Sequence, residues 1–225
     1  MNKAIDIANV EKVERYKEMQ YHNLQKISKL FEKYLYRINR DVWEDIIQEL
    51  DDVLCQCDKI DYQSNATAIA YAIFHFLDRY HRIQLMCQFL LENGYINRAK
   101  QYDILDIGTG PSQVLFALSD HFQSINLIEG KELCTVRSDY VEQSRGFRNF
   151  LHQFVELALS EGIQYRVPFH HGRTQNISDI IFNELRPVYG GLSHYNRSNS
   201  RYIKYRYDIS VFNNYLFKRN DPTLT

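Results

Sequence analysis

Proline and cysteine are scarce, four of each in 225 residues, beside nine glycines and a single tryptophan. Four cysteines in a chain of this length do not make the disulfide framework of a small secreted domain. Cys55 and Cys57 have one residue between them, not the wider gap of zinc ligands, so all four read as reduced thiols and no metal is expected. Long hydrophobic runs are missing: nothing approaches the ~18 apolar residues of a spanning helix. The opening MNKAIDIANVEKVERYKEM has no apolar core of a signal peptide. Together these absences predict a cytoplasmic protein. A net charge of −1 gives no global attraction to nucleic acid or membrane.

What is present is an ordinary globular composition, 44% apolar and 24% charged. The charge is unevenly placed. From Asp41 to Asp61 there are eight acids and one lysine, whereas from Arg186 to Arg219 there are seven Lys/Arg and Asp208 alone.

The first hundred residues carry helical periodicity. Leu24, Ile27, Phe31, Tyr34 and Ile38 recur every three or four residues, one stripe of an amphipathic helix. Asp41 stands as an N-cap before a second stripe, Trp43, Ile46, Ile47, Leu50, Val53, Leu54 and Cys57, with an acidic back. A third helix begins near Ser64 to Thr67, carries Ile69, Ile73, Phe76, Ile83, Cys87 and Leu90, and ends at Asn93-Gly94 in a left-handed cap. These stripes read as packing seams, one of which could serve a dimer.

After Gly94 short apolar runs alternate with helical patterns, which predicts βαβ units and a parallel sheet. The runs are YDILDI, INLIEG, SDYVEQ, IQYRVPF and YDISVF. The division is therefore a helical region over residues 1–94 and a cofactor-binding domain over 95–225. RPVYGGLSHYNRSNSRYIKYR, with no clean period, reads as a long surface loop. His170-His171 lacks a third ligand and reads as a loop pair.

The chemistry-bearing stretch is YDILDIGTGPSQVLF, residues 102–116. An apolar run ends in Asp106, turns through Gly108, Thr109 and Gly110, and feeds a helix through Pro111. Glycines let the backbone turn tightly and approach a ligand, and the following helix aims unpaired N–H groups at whatever the turn holds. The dinucleotide version wants a third glycine where Gln113 stands, which disfavours NAD and FAD; no Gly-Lys-Ser/Thr follows, which excludes a Walker loop.

LDIGTG resembles the first motif of the class I S-adenosyl-L-methionine-dependent methyltransferases. The resemblance implies a Rossmann-like class I methyltransferase fold of the α/β class, preceded by the helical region, with S-adenosyl-L-methionine as cofactor. It implies that Asp106 contacts the amino-acid end of the cofactor and that Gly108, Thr109 and Gly110 hold it. An acid after the second strand would bind the ribose. Glu129 lies 19 residues past Gly110, as a compact βαβ unit requires; Glu142 lies further on but has the more family-like surroundings, an apolar strand before it and Ser144 plus an amphipathic helix after. Glu142 is preferred and Glu129 remains the alternative. If Glu142 is correct, SINLIEGKELCTVR is an insertion.

RYDISVFNNYLF resembles the fourth strand of that family, with Asn213 and Tyr215 bordering the methyl group. The usual Asn/Asp-Pro-Pro-aromatic turn has neither proline here, so the methylated atom is not indicated. Tyr80 and Arg82 are candidates for the lip of the cofactor pocket. The resemblance spans roughly residues 70 to 217, and the pattern breaks off after four or five strands, as though the second half of the sheet were absent or supplied by another chain or a homo-oligomer. A second reading is a non-catalytic, methyltransferase-like RNA- or ribosome-associated binding protein. Arg197, Arg201, Lys204 and Arg206 alternate with tyrosines and could contact phosphate while bases stack. A third is an interaction protein whose acidic and basic segments pair.

Overall fold

The three helical stripes become three helices in the computed structural model, which describes residues 7–55, 60–93, 101–130, 135–142, 144–163, 165, 209–212 and 215–218. They are α1 (Ile7–Tyr36), α2 (Arg40–Cys55) and α3 (Asn65–Glu92). Tyr16, Ile27, Leu30, Phe31 and Tyr34 are the buried face of α1. Trp43 N–H donates to the Asn39 carbonyl, so α2 starts one residue before the expected cap and Asp41 lies in its first turn, where a carboxylate suits the helix dipole. In α2 only Ile46 and Val53 are buried, while Ile47 and Leu54 face outward. Ser64 caps α3 by accepting from Thr67 N–H. Asn93 is its C-cap at φ −90°, its N–H donating to the Phe89 and Leu91 carbonyls; the left-handed cap expected over Asn93-Gly94 turns on Gly94. Gly94 and Cys57 lie outside the described residues.

Two more helices follow, α4 (Gln113–Glu129) and α5 (Arg145–Ser160). INLIEG, expected to be a strand, is the last part of α4. Phe122 and Ile125 are buried and Ile128 packs against the same core, a spacing of three that only a helix turns inward. Gly130 then ends the helix at φ 69°.

The expected fold class is overturned. Of the residues whose side-chain surroundings are described, 82% are helical, and five helices rather than a Rossmann-like parallel sheet make up this body. Extended backbone is limited to β1 (Gln101–Ile107), β2 (Thr135–Val141), β3 (Ile209–Phe212) and β4 (Tyr215–Lys218). These form a mixed ladder in the order β2-β1-β3-β4, with β1 parallel to β2 and β3, and β4 antiparallel to β3. Most of IQYRVPF lies outside the described residues.

The physical reason is the core. Phe31 of α1, Phe76 of α3, Phe116 of α4 and Phe150 and Phe154 of α5 form one aromatic cluster. Ring centroids are 5.1 Å apart for Phe31–Phe76 and 5.2 Å for both Phe76–Phe154 and Phe116–Phe154. The first pair is stacked and the other two are edge-on, and aromatic pairs of either kind add about 0.5–1.5 kcal/mol each beyond burial. Residues on both sides of position 94 share this one cluster.

Polar contacts tie the same helices together. Lys26 pairs with the fully buried Asp120 carboxylate, which also accepts from Tyr80 Oη at 2.5 Å. Gln20 Nε2 donates to the Gln84 carbonyl and Asn23 Nδ2 to Ser124 Oγ. Among the described residues no helix is long and apolar enough to cross a membrane, and no cluster of His, Cys, Asp or Glu could hold a metal.

Candidate functional site

The turn after β1 is built from three left-handed residues in five positions: Gly108 at φ 68°, Gly110 at φ 56° and Ser112 at φ 63°. Gly108 and Gly110 adopt this region without a Cβ clash, whereas Ser112, which precedes α4, is held there at a cost. The Ser112 N–H donates to the Thr109 carbonyl at 2.9 Å, closing the turn on itself. Pro111 therefore lies ahead of α4, not within its first turn.

Asp106 lies beneath this turn, 2% exposed, and accepts from Thr109 Oγ1. Burial pushes its carboxyl up to about 7; the Thr109 hydrogen bond acts against that rise and the nearby Glu142 adds to it. Near neutrality Asp106 is thus poised between acid and carboxylate.

Glu142 follows β2 and reaches back to the turn. Its Oε2 accepts from Gly110 N–H at 2.8 Å and its Oε1 from Ser144 N–H at 2.7 Å. Arg148 of α5 donates to the Glu142 carbonyl at 2.9 Å, fixing the backbone as well. The Ser144 hydroxyl caps α5 by accepting from Phe147 N–H and itself donates to the Tyr62 carbonyl. The segment before α3 is thereby pinned onto the start of α5. Gly146 is required there: a Cβ would fall 2.8 Å from the Tyr62 carbonyl oxygen and closer still to that of Ser64.

These residues enclose a cavity of about 180 Å³. Asp106, Gly108, Thr109, Gly110, Gln113 and Glu142 form its polar side; Tyr62, Tyr71, Phe147 and Arg79 also line it. The Cβ direction of both glycines opens into free space. Gln113 Oε1 is buried without a hydrogen-bond partner among the described residues. A wall of carboxylates and open glycine backbone, with a spare buried acceptor, fits a polar ligand with donor and cationic groups.

The expected site residues divide clearly. Asp106, Gly108, Thr109, Gly110 and Glu142 come together around the cavity. Glu129 does not: it sits at the far end of α4, where both its oxygens accept from Lys12 Nζ at 3.0 Å. Tyr80 is buried against Asp120, and Arg82 pairs with Asp78 in solvent, so neither lips the cavity. Arg79, one helical turn before Arg82, does. Tyr215 opens β4; Asn213, His170, His171, Arg197, Arg201, Lys204 and Arg206 lie outside the described residues.

Sequence reasoning missed Tyr62, Tyr71, Arg79, Gln113 and Phe147. One signal was available: Tyr71, His75 and Arg79 recur every fourth residue on α3, a polar-aromatic stripe beside the apolar one. Comparison with family models, with curated proteins and with solved structures finds no match.

Proposed function

We propose that the cavity binds S-adenosyl-L-methionine and that the protein is a methyltransferase acting in the cytoplasm. The observation that carries this reading is the hydrogen bond from Gly110 N–H to Glu142 Oε2. It draws a second carboxylate onto a glycine turn that already has Asp106 beneath it. Asp106 would receive the ammonium of the cofactor and Glu142 its ribose hydroxyls, with Gly108 and Gly110 letting the chain approach. When bound, the sulfonium supplies an activated methyl group. The residues of this chain hold and orient, and the aromatic wall excludes water from the cavity. The RNA-associated reading rests on basic residues outside the described part and gains no support from this site.

Calorimetric titration with S-adenosylhomocysteine tests the proposal, with Asp106→Asn as the partner experiment. Micromolar binding, weakened at least tenfold in the variant, is the expected result. A folded chain that shows no heat of binding refutes the proposal, and salt-dependent RNA binding then becomes the reading to pursue.

A further inference from the structure

The apolar residues of α2 divide into two faces. Ile46 and Val53 turn into the core, and Glu49 Oε2, accepting from Thr67 Oγ1 at 3.0 Å, ties the far edge of that face to α3. Trp43, Ile47, Leu50 and Leu54, spaced by four, three and four residues, share the adjoining side. Trp43 and Leu50 are half-buried, but Ile47 is 60% and Leu54 59% exposed. Single apolar residues are ordinary on a surface. Four in this register make the seam by which one helix packs along another.

The charges beside the seam select its occupant. α2 carries six acids and one cation, Arg40. Glu44 and Asp51 follow Trp43 and Leu50 directly and stand along the solvent edge of the seam, the positions from which charged side chains reach a paired helix. Arg40 lies 3.9 Å from Glu44, an exposed pair too weak to neutralise it. A second copy of this chain packed antiparallel would set these carboxylates against their own images. A parallel copy would need Ile46 and Val53 at the contact, and the core already holds both. An anionic membrane or a nucleic acid meets the same repulsion. We infer that the outer face of α2 docks a helix of a partner protein, with apolar residues at three- and four-residue spacing and Lys or Arg opposite Glu44 and Asp51. No residue of α2 lines the cavity, so this face stands or falls independently of the cofactor.

Trp43 is the single tryptophan of the chain and lies in the seam, so its emission reports occupation directly. The full chain is titrated with a synthetic peptide helix of the length of α2, with leucine at the seam positions and lysine beside them. A saturable blue shift with micromolar affinity is expected. The same peptide with glutamate in place of lysine should bind about tenfold more weakly or worse. Ile47→Ser with Leu54→Ser, both surface changes compatible with folding, should weaken binding by about tenfold or more. Glu44→Lys with Asp51→Lys should reverse the preference in favour of the glutamate peptide. Absence of a saturable shift in a chain folded by circular dichroism overturns the inference. So does an affinity unaltered by Ile47→Ser with Leu54→Ser, which marks adsorption to the acidic surface alone. Sedimentation equilibrium covers the remaining occupant: a dimer that Ile47→Ser with Leu54→Ser dissociates overturns the partner helix in favour of a second copy.

Discussion

Replacing Asp106 with asparagine should stabilise this protein at pH 8 and leave it unchanged at pH 4. The folded carboxyl titrates at about 7 against 3.8 for the free side chain. Its folded value is raised, so the native state holds the proton more tightly than the unfolded chain, and the sign is opposite to that of a salt-bridged carboxylate. Below pH 4 both states are protonated and Asp106 contributes nothing. Between pH 4 and 7 the unfolded chain ionises freely while the native site resists, and stability falls. At about 1.4 kcal/mol per pH unit across this window, the loss reaches about 4 kcal/mol above pH 7. Asparagine keeps an oxygen to accept from Thr109 Oγ1 and has no charge to bury. Urea unfolding of both chains from pH 4 to 8, followed by circular dichroism, should show a difference that grows from near zero to several kcal/mol in favour of the variant. Groups shared by the two chains cancel in that difference. A difference independent of pH, or a variant less stable at pH 8, refutes the reasoning. For the wild type, affinity for S-adenosylhomocysteine should rise with pH up to about 7 and then level off, because the ammonium needs the ionised carboxylate.

His121 should make the protein acid-sensitive on its own account. Burial lowers its folded pKa from 6.5 to about 3, so the stability it contributes is present above pH 6.5 and is lost as pH falls towards 3, with an unfolding midpoint that His121→Asn shifts to lower pH. Lys26→Met leaves the buried Asp120 carboxylate without its cation and should cost about 3–5 kcal/mol at pH 7 in chemical unfolding; no loss would mean that the Tyr80 hydroxyl alone suffices. Gly146→Ala drives a Cβ into the Tyr62 and Ser64 carbonyls and should cost about 1–3 kcal/mol by thermal melting while weakening ligand binding, since Tyr62 lines the cavity. Phe76→Ala, at the centre of the aromatic cluster, should cost about 3–5 kcal/mol by the same measurement.

Local patterns in the sequence determined a good deal. The three-and-four spacing of Ile27, Phe31 and Tyr34 is enough to specify the face that α1 buries, and Ser64 is legible as a cap because its hydroxyl reaches a nearby backbone N–H. The same holds for the glycine turn: Asp106, Gly108, Thr109 and Gly110 act within five residues, and their conformations follow from residue type. Fold class was not legible. INLIEG has both the length of a strand and the period of a helix, and only packing beside Phe122 decided for α4. The apolar runs after Gly94 suggested a sheet as the body of the domain, but the aromatic residues of α1, α3, α4 and α5 bury against one another instead. The choice between Glu129 and Glu142 was only partly legible. Spacing along the chain favoured the first and local surroundings narrowly the second; the fold places Glu142 at Gly110 N–H, while Lys12, 117 residues away in sequence, holds Glu129. Arg79 is an intermediate case: its every-fourth-residue spacing with Tyr71 and His75 is visible in the sequence, but only packing sets that face of α3 beside the turn.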